Sequence, residues 1–391
     1  MTTDTPGSQS ALREANLRRV LRAVRAAGSL TQAEIVRSTG LSAATVSNLV
    51  RELQASALVV VTPTATGRRA QNVSLSQLKG LAIGIELGQA HLRGEICDMG
   101  YRLLSKEEID YDSAEWGLRP VEWLVRKLLE KARVDRSEVR GIGVSVPGSL
   151  DPVTGGVRSA PLVPGGQGVD ITEELSGRLG LPVQLITNVN AAALGELARG
   201  VSRSTAEMVY VQLSTSVEAA LVIRGEVYPG SSGLAGQFGH ITVDEAGRVC
   251  RCGNRGCLET VVGGPHLLDL LPRPAPQRPT TLDELVNSAV KGDLGCRRVI
   301  GDAGRAVGVA AAMLCNLLNP RQIVLGGELA GAGELLLDPI RQVLRRRALP
   351  AIAELVEVRC GELGERAVVV GALATVVRGT DVIDSVDSLR A

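Results

Sequence analysis

The sequence predicts an α/β protein in which a small helical N-terminal module precedes a larger body. Three features of the 391-residue chain support this fold class. The first 75 residues carry apolar side chains at helical spacing, residues from 80 onward alternate short apolar strands with helices, and residues 240–257 gather one histidine and three cysteines. The length indicates two or three domains.

Composition disfavours secreted and membrane proteins. Hydrophobic residues make up 45% of the chain, which is ample for globular cores, and we find no apolar run of about 18 residues that would predict a membrane span. The N-terminal residues lack the apolar stretch of a secretory signal. Because a cluster of reduced thiols suits a reducing compartment, we expect a cytoplasmic protein with no membrane partner.

Charge is unevenly distributed along the chain. The whole chain has a net charge of +1, but residues 1–75 hold nine arginines against four acidic residues, a net charge of +5, which leaves −4 for the remainder. This asymmetry indicates a basic N-terminal module on a mildly acidic body.

The N-terminal module has the pattern of three helices. Residues 16–27 repeat apolar side chains at helical spacing, and a second helix over 31–38 begins with a capping box, in which Glu34 follows a threonine by three residues. Gly40 predicts a sharp turn. A third helix over 42–55 begins at a serine, which is a good N-cap.

Alternating runs at 58–61 and 72–75 add a hairpin, so residues 1–76 are predicted to form a winged helix-turn-helix domain. Small and polar residues on the third helix would allow it to enter a DNA major groove, and arginines at the hairpin tip would contact phosphate or a minor groove. The candidate DNA-binding residues are Ser42, Ala43, Ala44, Thr45, Ser47, Asn48, Arg51, Arg68 and Arg69. A three-helix protein-interaction domain is the alternative, which the excess of basic residues disfavours.

The histidine and cysteine cluster has the spacing H-x9-C-x-C-x4-C. Its predicted metal ligands are His240, Cys250, Cys252 and Cys257. One imidazole and three thiolates complete a tetrahedral Zn²⁺ shell and leave no position for a substrate water, so the zinc would be structural. Gly253 and Gly256 supply the tight turns that a short ligand loop needs. Buried or oxidised cysteines are the alternative interpretation.

The body is predicted to contain two related α/β halves. Strands at 81–88 and 139–148 flank a helix at 120–132 in the first half, and strands at 208–215 and 321–327 belong to the second. Two such halves would leave a cleft between them.

These residues resemble the ROK family of repressors, uncharacterised reading frames and sugar kinases. The resemblance extends from about Gly80 to Ala374 and rests on NAAALGE at 190–196, LNPRQIVLGG at 318–327, and a Gly-His and cysteine signature that ends at Glu259. It implies an actin-like (ribonuclease-H-like) body of two lobes. The first would cover 77–190, completed by a C-terminal helix at about 368–380, and the second, 191–367, would hold the zinc loop. The winged helix is similar to that of the xylose-repressor-like branch.

The resemblance also indicates where kinase chemistry would lie, and its requirements are not met. The family's general base is the Asp of an Asn-Asp-x-Asn motif, where this chain has Asn188, and an amide cannot accept the proton. The family's first phosphate loop, Asp-x-Gly-Gly-Thr-Lys, is replaced by ELGQAH at 86–91. Its second, glycine-rich phosphate loop is replaced by STSVEAA at 214–220. We therefore expect no phosphoryl transfer from ATP.

The sugar site that the resemblance implies is altered less. A glutamine stands where the family has a carboxylate, whereas other polar side chains remain. The candidate ligand-binding residues are Asn188, Asn190, Gln237, His240 and Glu259. Such a pocket would hold a sugar, and would accept a sugar phosphate or sugar acid more readily than its relatives do. A vestigial pocket without an effector is the alternative.

We therefore expect a DNA-binding transcriptional regulator, a repressor rather than an activator, that responds to a sugar or a sugar derivative. A homodimer or homotetramer would read an inverted repeat in double-stranded DNA, and a ligand in the cleft would change DNA affinity by favouring one closure state of the lobes. Two rival hypotheses remain: an active ROK-type sugar kinase with an appended DNA-binding domain, and an effector-blind regulator whose body only dimerises.

Overall fold

A computed structural model describes residues 9–27, 29–56, 58–64, 67–75, 80–88, 91–110, 118–151, 155–159, 171–203, 205–271 and 279–379. The helices are α1 (Gln9–Ala27), α2 (Gln32–Thr39), α3 (Ala43–Ala55), α4 (Leu118–Ala132), α5 (Ile171–Leu179), α6 (Asn188–Ala198), α7 (Glu259–Val262), α8 (Gly264–Asp269), α9 (Leu282–Lys291), α10 (Leu294–Leu318), α11 (Glu334–Arg347), α12 (Pro350–Ala353) and α13 (Ala367–Gly379). The strands are β1 (Ser29–Thr31), β2 (Val59–Thr64), β3 (Gly67–Leu75), β4 (Leu81–Leu87), β5 (His91–Asp98), β6 (Leu103–Asp110), β7 (Val139–Val146), β8 (Ser149–Leu150), β9 (Val157–Ser159), β10 (Val183–Thr187), β11 (Met208–Leu213), β12 (Val217–Ile223), β13 (Glu226–Val227), β14 (Gln322–Gly326) and β15 (Glu357–Cys360).

Local capping fixes the helices of the N-terminal module. The backbone N–H of Glu34 donates to Thr31 Oγ1 at 3.3 Å and Glu34 Oε2 accepts from the Thr31 N–H at 2.8 Å, which is the predicted capping box before α2. Gly40 ends α2 with φ +67°, and Ser42 caps α3 by accepting from the Thr45 N–H at 3.1 Å. The turn between α2 and α3 therefore has the predicted helix-turn-helix geometry.

A small core and a three-stranded sheet complete the module. The sheet has the order β1-β3-β2, and β2 pairs with β3 so that Val61 lies opposite Val73. The buried core residues are Leu17, Val20, Leu21, Val24, Ile35, Val46, Leu49, Val50, Leu53, Leu58, Val59 and Val73. The winged helix-turn-helix fold is confirmed, with two additions to the predicted elements: α1 begins earlier than residue 16, and β1 forms a third strand.

The first half of the body is a five-stranded sheet of order β10-β7-β4-β5-β6. β7 and β10 are parallel, whereas β5 and β6 form an antiparallel hairpin. Helix α4 packs on one face, where a Cβ added at Gly94 would lie 2.8 Å from Leu128. Helix α13 packs on the opposite face so closely that a Cβ at Gly143 would overlap the carbonyl oxygen of Ala372. The C-terminal helix therefore contacts the sheet of the first half.

The second half repeats this plan with the sheet β13-β12-β11-β14-β15. β11 and β12 are antiparallel, and β14 is parallel to both β11 and β15. One face carries the long helix α10 with α11, which share a core with Val211 and Leu325. On the other face, Ala192 and Ala193 of α6 pack against Tyr210. The two related α/β halves expected from the sequence are confirmed.

Helix α10 corrects one expectation from composition. Among the described residues it is the one helix long and apolar enough to cross a membrane by length and hydropathy alone. The expectation that the chain has no such apolar run was therefore wrong for this segment. Its apolar face, including Ile300, Val307 and Ala311, is buried in the core of the second half. A buried core helix passes the same test, and the packing explains its apolar composition.

Candidate functional sites

The exposed face of α3 has the composition expected of a DNA-reading helix. Of the candidate residues on and before α3, Ser42, Ala43, Ala44, Asn48 and Arg51 are exposed, and Thr45 and Ser47 are half-buried. The hydroxyl groups of Ser42 and Thr45 lie 2.8 Å apart and take part in the helix cap. Arg51 Nη1 donates to Asn48 Oδ1 at 3.4 Å, so these two side chains form a joint polar surface.

This face borders a surface groove of about 630 Å³ that includes a residue of α1. Its lining comprises Arg13, Ala44, Thr45, Asn48, Leu49, Arg51, Glu52 and Ala55. Arg13 and Glu52 were absent from the predicted DNA-binding residues, because nothing in the local pattern shows that α1 would approach α3 at this point. The charge on this face is therefore set by residues from two helices.

The wing is present as the β2–β3 hairpin. Arg68 and Arg69 lie in β3, close to its start, and their side chains are outside the described residues. Their contribution to DNA binding stays a prediction.

The predicted metal ligands converge. One ligand atom from each of His240, Cys250, Cys252 and Cys257 lies within 4.8 Å of the others. Cys250 Sγ is 3.6 Å from His240 Nδ1, and Cys252 Sγ is 3.7 Å from Cys257 Sγ. A Zn²⁺ ion about 2.3 Å from sulfur and about 2.0 Å from nitrogen would give a sulfur–nitrogen distance of about 3.6 Å and a sulfur–sulfur distance of about 3.8 Å. The observed distances match these values, so the donor set fits Zn²⁺. All seven cysteines are free, and no disulfide joins any two of them.

Backbone geometry holds the ligand loop closed. The Cys250 N–H donates to the Asn254 carbonyl at 2.7 Å, and Gly256 adopts φ +68° against Asp244, where a Cβ would overlap the Asp244 carbonyl. Without a cation, burial raises the pKa of the Cys257 thiol to about 12. A bound dication reverses this preference, because it stabilises the thiolate.

An arginine connects the ligand loop to the predicted ligand site. Arg251, between two cysteine ligands, places Nε 2.8 Å from Glu259 Oε1, and Glu259 Oε2 accepts from the Val217 N–H at 3.4 Å. Sequence reasoning assigned no role to Arg251, although its position inside the ligand motif was a usable signal. Glu259 therefore already has a cationic partner, which a ligand would have to share or displace.

A second carboxylate lies beside this pair. Glu218 of β12 is half-buried, and burial together with the charge of Glu259 raises the pKa of its carboxyl. Gln237 is exposed just before the turn that carries His240, and Gly239 of that turn packs against the Val217 carbonyl. His240, Glu259 and Glu218 thus belong to one neighbourhood at the start of β12.

The predicted ligand residues of α6 form a separate group. Asn188 Nδ2 donates to the Leu87 carbonyl at 3.0 Å, while Asn188 Oδ1 is buried without a hydrogen-bond partner in the described residues. Asn190 lies two residues further along the same helix and is half-buried. Within the described ranges, no hydrogen bond or ion pair joins Asn188 or Asn190 to the group at β12.

The first phosphate-loop position is filled by the protein's own side chains. The His91 ring lies against Gly88, and its Nε2 is 3.4 Å from Oε1 of the buried Glu86. Arg93 Nη1 lies 3.9 Å from Glu86 Oε2. Residues 89 and 90 of this loop are outside the described residues. The Glu86 carboxylate therefore faces the His91 ring and the Arg93 guanidinium in the stretch that stands where the family has its first phosphate loop.

Comparison with known proteins identifies the class and then the family. The model of the ROK family matches residues 82–378, and that of the MarR family matches residues 18–70. The chain is 28% identical to the xylose repressor of Caldicellulosiruptor bescii, over 95% of this chain and 97% of that repressor. The crystal structure of a ROK family transcriptional regulator, a homologue of the Escherichia coli Mlc protein, superposes with a TM-score of 0.78 at 25% identity, over 95% of this chain and 99% of that one. The ROK hexokinase of Thermus thermophilus gives a TM-score of 0.64 at 32% identity, over 77% of this chain and 99% of the hexokinase.

The molecule is thus a winged helix-turn-helix domain joined to a sugar-kinase-like, actin-fold body. The chain belongs to the ROK family, and its N-terminal domain places it with the family's transcriptional regulators.

Proposed function

We propose that the protein is a cytoplasmic repressor that binds double-stranded DNA and responds to a sugar or a sugar derivative. The observation that carries this proposal is the exposed small and polar face of α3, on a module with a net charge of +5 in residues 1–75. The similarity to a xylose repressor along nearly the full length supports the same function.

DNA recognition would divide between the reading helix and the wing. Asn48 and Arg51 would contact base edges, with the small residues before them allowing close approach, and Arg68 and Arg69 would contact phosphate or a minor groove. Two modules on a homodimer or homotetramer would read the halves of an inverted repeat.

Zinc would order the ligand site. His240 and the three cysteines would hold the ion with no open coordination position, so the ion would supply rigidity and no reaction. Because Arg251 lies within the ligand loop and pairs with Glu259, an ordered loop would hold Glu259 in place. Loss of zinc should therefore weaken the response to effector.

The effector would lie between the two lobes, with Asn188 and Asn190 on one side and Gln237, His240 and Glu259 on the other. Asn188 Oδ1, which has no hydrogen-bond partner among the described residues, would accept from a ligand hydroxyl. A neutral glutamine at 237 and a guanidinium at Arg251 favour an anionic sugar derivative. Closure of one lobe, 77–190 with a C-terminal helix at about 368–380, on the other, 191–367, would change DNA affinity.

The body would lack kinase activity. The side chain at the general-base position, Asn188, donates a hydrogen bond to the Leu87 carbonyl and has no basic atom. The Glu86 and His91 side chains would obstruct a phosphate at this position. The fold is shared with a ROK hexokinase, so an active kinase with an added DNA-binding domain is the rival that an ADP-release assay excludes or supports.

An effector-blind regulator is a second candidate, favoured by one observation. Arg251 already neutralises Glu259 and could replace an effector there. This candidate predicts that no sugar alters DNA affinity and that Gln237→Ala and Glu259→Ala have no effect on it.

The test is fluorescence anisotropy of the full-length protein on labelled duplexes that tile the DNA upstream of its own gene. We expect one duplex to bind tightly and with strong salt dependence, and Asn48→Ala and Arg51→Ala to weaken that duplex more than the others. Equal binding to every duplex, or none, would refute sequence-specific regulation through this face.

A further inference from the structure

An ion pair joins the first helix to the DNA-facing side of the reading helix. Arg13 of α1 donates to Glu52 Oε2 of α3 through Nη2 at 2.8 Å and through Nε at 3.2 Å. The Arg13 side chain is 65% exposed and that of Glu52 is 25% exposed. Among the described residues, one carboxylate therefore holds the guanidinium, while most of the side-chain surface faces solvent.

Both residues line the groove that contains the predicted base-reading side chains. Ala44, Thr45, Asn48 and Arg51 line the same groove. Glu52 follows position 48 by four residues and position 44 by eight, so helical periodicity places all three on one face. A phosphate backbone that lies along this face would approach Glu52 and Arg13 together.

A carboxylate on such a face opposes DNA binding unless a cation compensates for it, since like charges repel at short range. An exposed ion pair contributes little to stability, so little free energy is needed to separate the two partners. A phosphate offers the guanidinium the same two-pronged acceptor as a carboxylate does. A DNA phosphate can therefore replace the Glu52 carboxylate as the acceptor of the Arg13 guanidinium.

We propose that Arg13 contacts a DNA phosphate and that Glu52 holds it in the free protein, so Glu52 and DNA compete for one guanidinium. This inference rests on the proposed DNA-binding function and extends the DNA-contacting surface from α3 and the wing to α1. Glu52 keeps Arg13 on the DNA-facing side and at the same time lowers DNA affinity.

The contrasting role for Arg13 is purely local: it neutralises Glu52 or fastens α1 to α3 and never contacts DNA. The two roles differ once Glu52 has lost its charge. If Arg13 contacts a phosphate, it still contributes to DNA affinity in the Glu52→Gln variant. If Arg13 only neutralises Glu52, it no longer contributes to DNA affinity in that variant.

The experiment measures binding of the full-length protein to a labelled mixed-sequence duplex about two helical turns long, by anisotropy between about 50 and 200 mM KCl. A phosphate contact is independent of sequence, so no operator is needed. The variants are Arg13→Gln, Glu52→Gln and the double variant. Arg305→Gln is the matched control, because Arg305 belongs to an exposed ion pair with Asp302 in the body and its loss changes the net charge equally.

We expect Glu52→Gln to bind about two- to fivefold more tightly than the wild type. The decisive comparison is Glu52→Gln with the double variant, which should bind about three- to tenfold more weakly and lose about 0.9 from the slope of log affinity against log salt. Arg305→Gln should match the wild type.

Equal affinity and equal slope for Glu52→Gln and the double variant would overturn the phosphate contact while leaving DNA binding intact. A weaker double variant whose thermal midpoint also falls by several degrees would assign Arg13 a structural role and would likewise overturn it. A wild-type protein that binds no duplex at the lowest salt would overturn the proposed function itself.

Discussion

The predicted zinc loop of the body keeps its full set of functional residues, whereas the regions that stand at the family's phosphate loops do not. His240 and its three cysteine partners bring four donor atoms within 4.8 Å of one another, and these residues could hold a metal ion. At the phosphate position of the first lobe, by contrast, Glu86 pairs with His91 and Asn188 donates to a backbone carbonyl. The donor set of the metal site is complete, whereas the residues at the family's base and phosphate-loop positions are replaced. This difference leads us to expect a body that binds a ligand without transferring a phosphoryl group.

The largest expected effect comes from removing one of the predicted zinc ligands. Cys257→Ser removes a buried ligand, so we expect bound zinc to fall from about one equivalent to none and the body to lose thermal stability by several degrees. Zinc content by elemental analysis and thermal unfolding measure both. Cys296→Ala, which truncates a buried cysteine outside the cluster, should keep its zinc. Full zinc occupancy in Cys257→Ser would show that this thiol is not a ligand.

The next effect tests whether the loop shapes effector choice. Arg251→Ala removes the cation beside Glu259, so an anionic effector should need about tenfold more ligand for half release of DNA, because a charge-assisted hydrogen bond is lost. The matched control is Arg255→Ala on the same loop, where the guanidinium bonds only the Gly247 carbonyl among its described contacts. An unchanged effector response in Arg251→Ala would argue against anion selectivity.

A smaller effect concerns pH. The folded state raises the pKa of Glu218 through burial and the charge of Glu259, so the folded protein holds this proton more tightly than the unfolded chain. The resulting stability is present at acidic pH and is lost as pH rises from about 4.5 through the raised folded pKa. Glu218→Gln should therefore flatten the decline in thermal midpoint over this interval, as differential scanning fluorimetry at stepped pH would record. An unaltered pH profile would mean that Glu218 is solvated.

The smallest effect is expected at Asn188, which stands at the family's general-base position. Asn188→Asp restores a carboxylate where the family has its base, yet the altered phosphate loops should still prevent turnover. ADP release over a panel of hexoses, pentoses and N-acetylhexosamines should stay at background for both proteins. Turnover in Asn188→Asp alone would show that the base was the one missing element.

Much of the fold could be predicted because its signals are local. The buried residues of α3 repeat at helical spacing, Thr31 and Glu34 form the capping box that their sequence pattern indicates, and the zinc ligands lie within one short loop. Each of these depends on residues within one short segment of the chain, where backbone geometry limits the outcomes.

The rest depends on contacts between distant segments. Arg13 and Glu52 are 39 residues apart, and the close approach of α13 to Gly143 joins parts of the chain more than 200 residues apart. Arg251 and Glu259 are closer in sequence, but only the folded loop shows that Arg251 forms its ion pair with this carboxylate. Tertiary packing decides such contacts, and no periodicity records them.

The most direct test of the central claim measures DNA release and ADP formation in one sample. The full-length protein, its preferred duplex and ATP-Mg²⁺ are titrated with sugars, sugar phosphates and sugar acids while anisotropy and ADP are followed together. We predict that one compound releases the DNA, with no ADP formed and the compound recovered unchanged. ADP formation that tracks the added sugar would contradict a regulator that binds without catalysis.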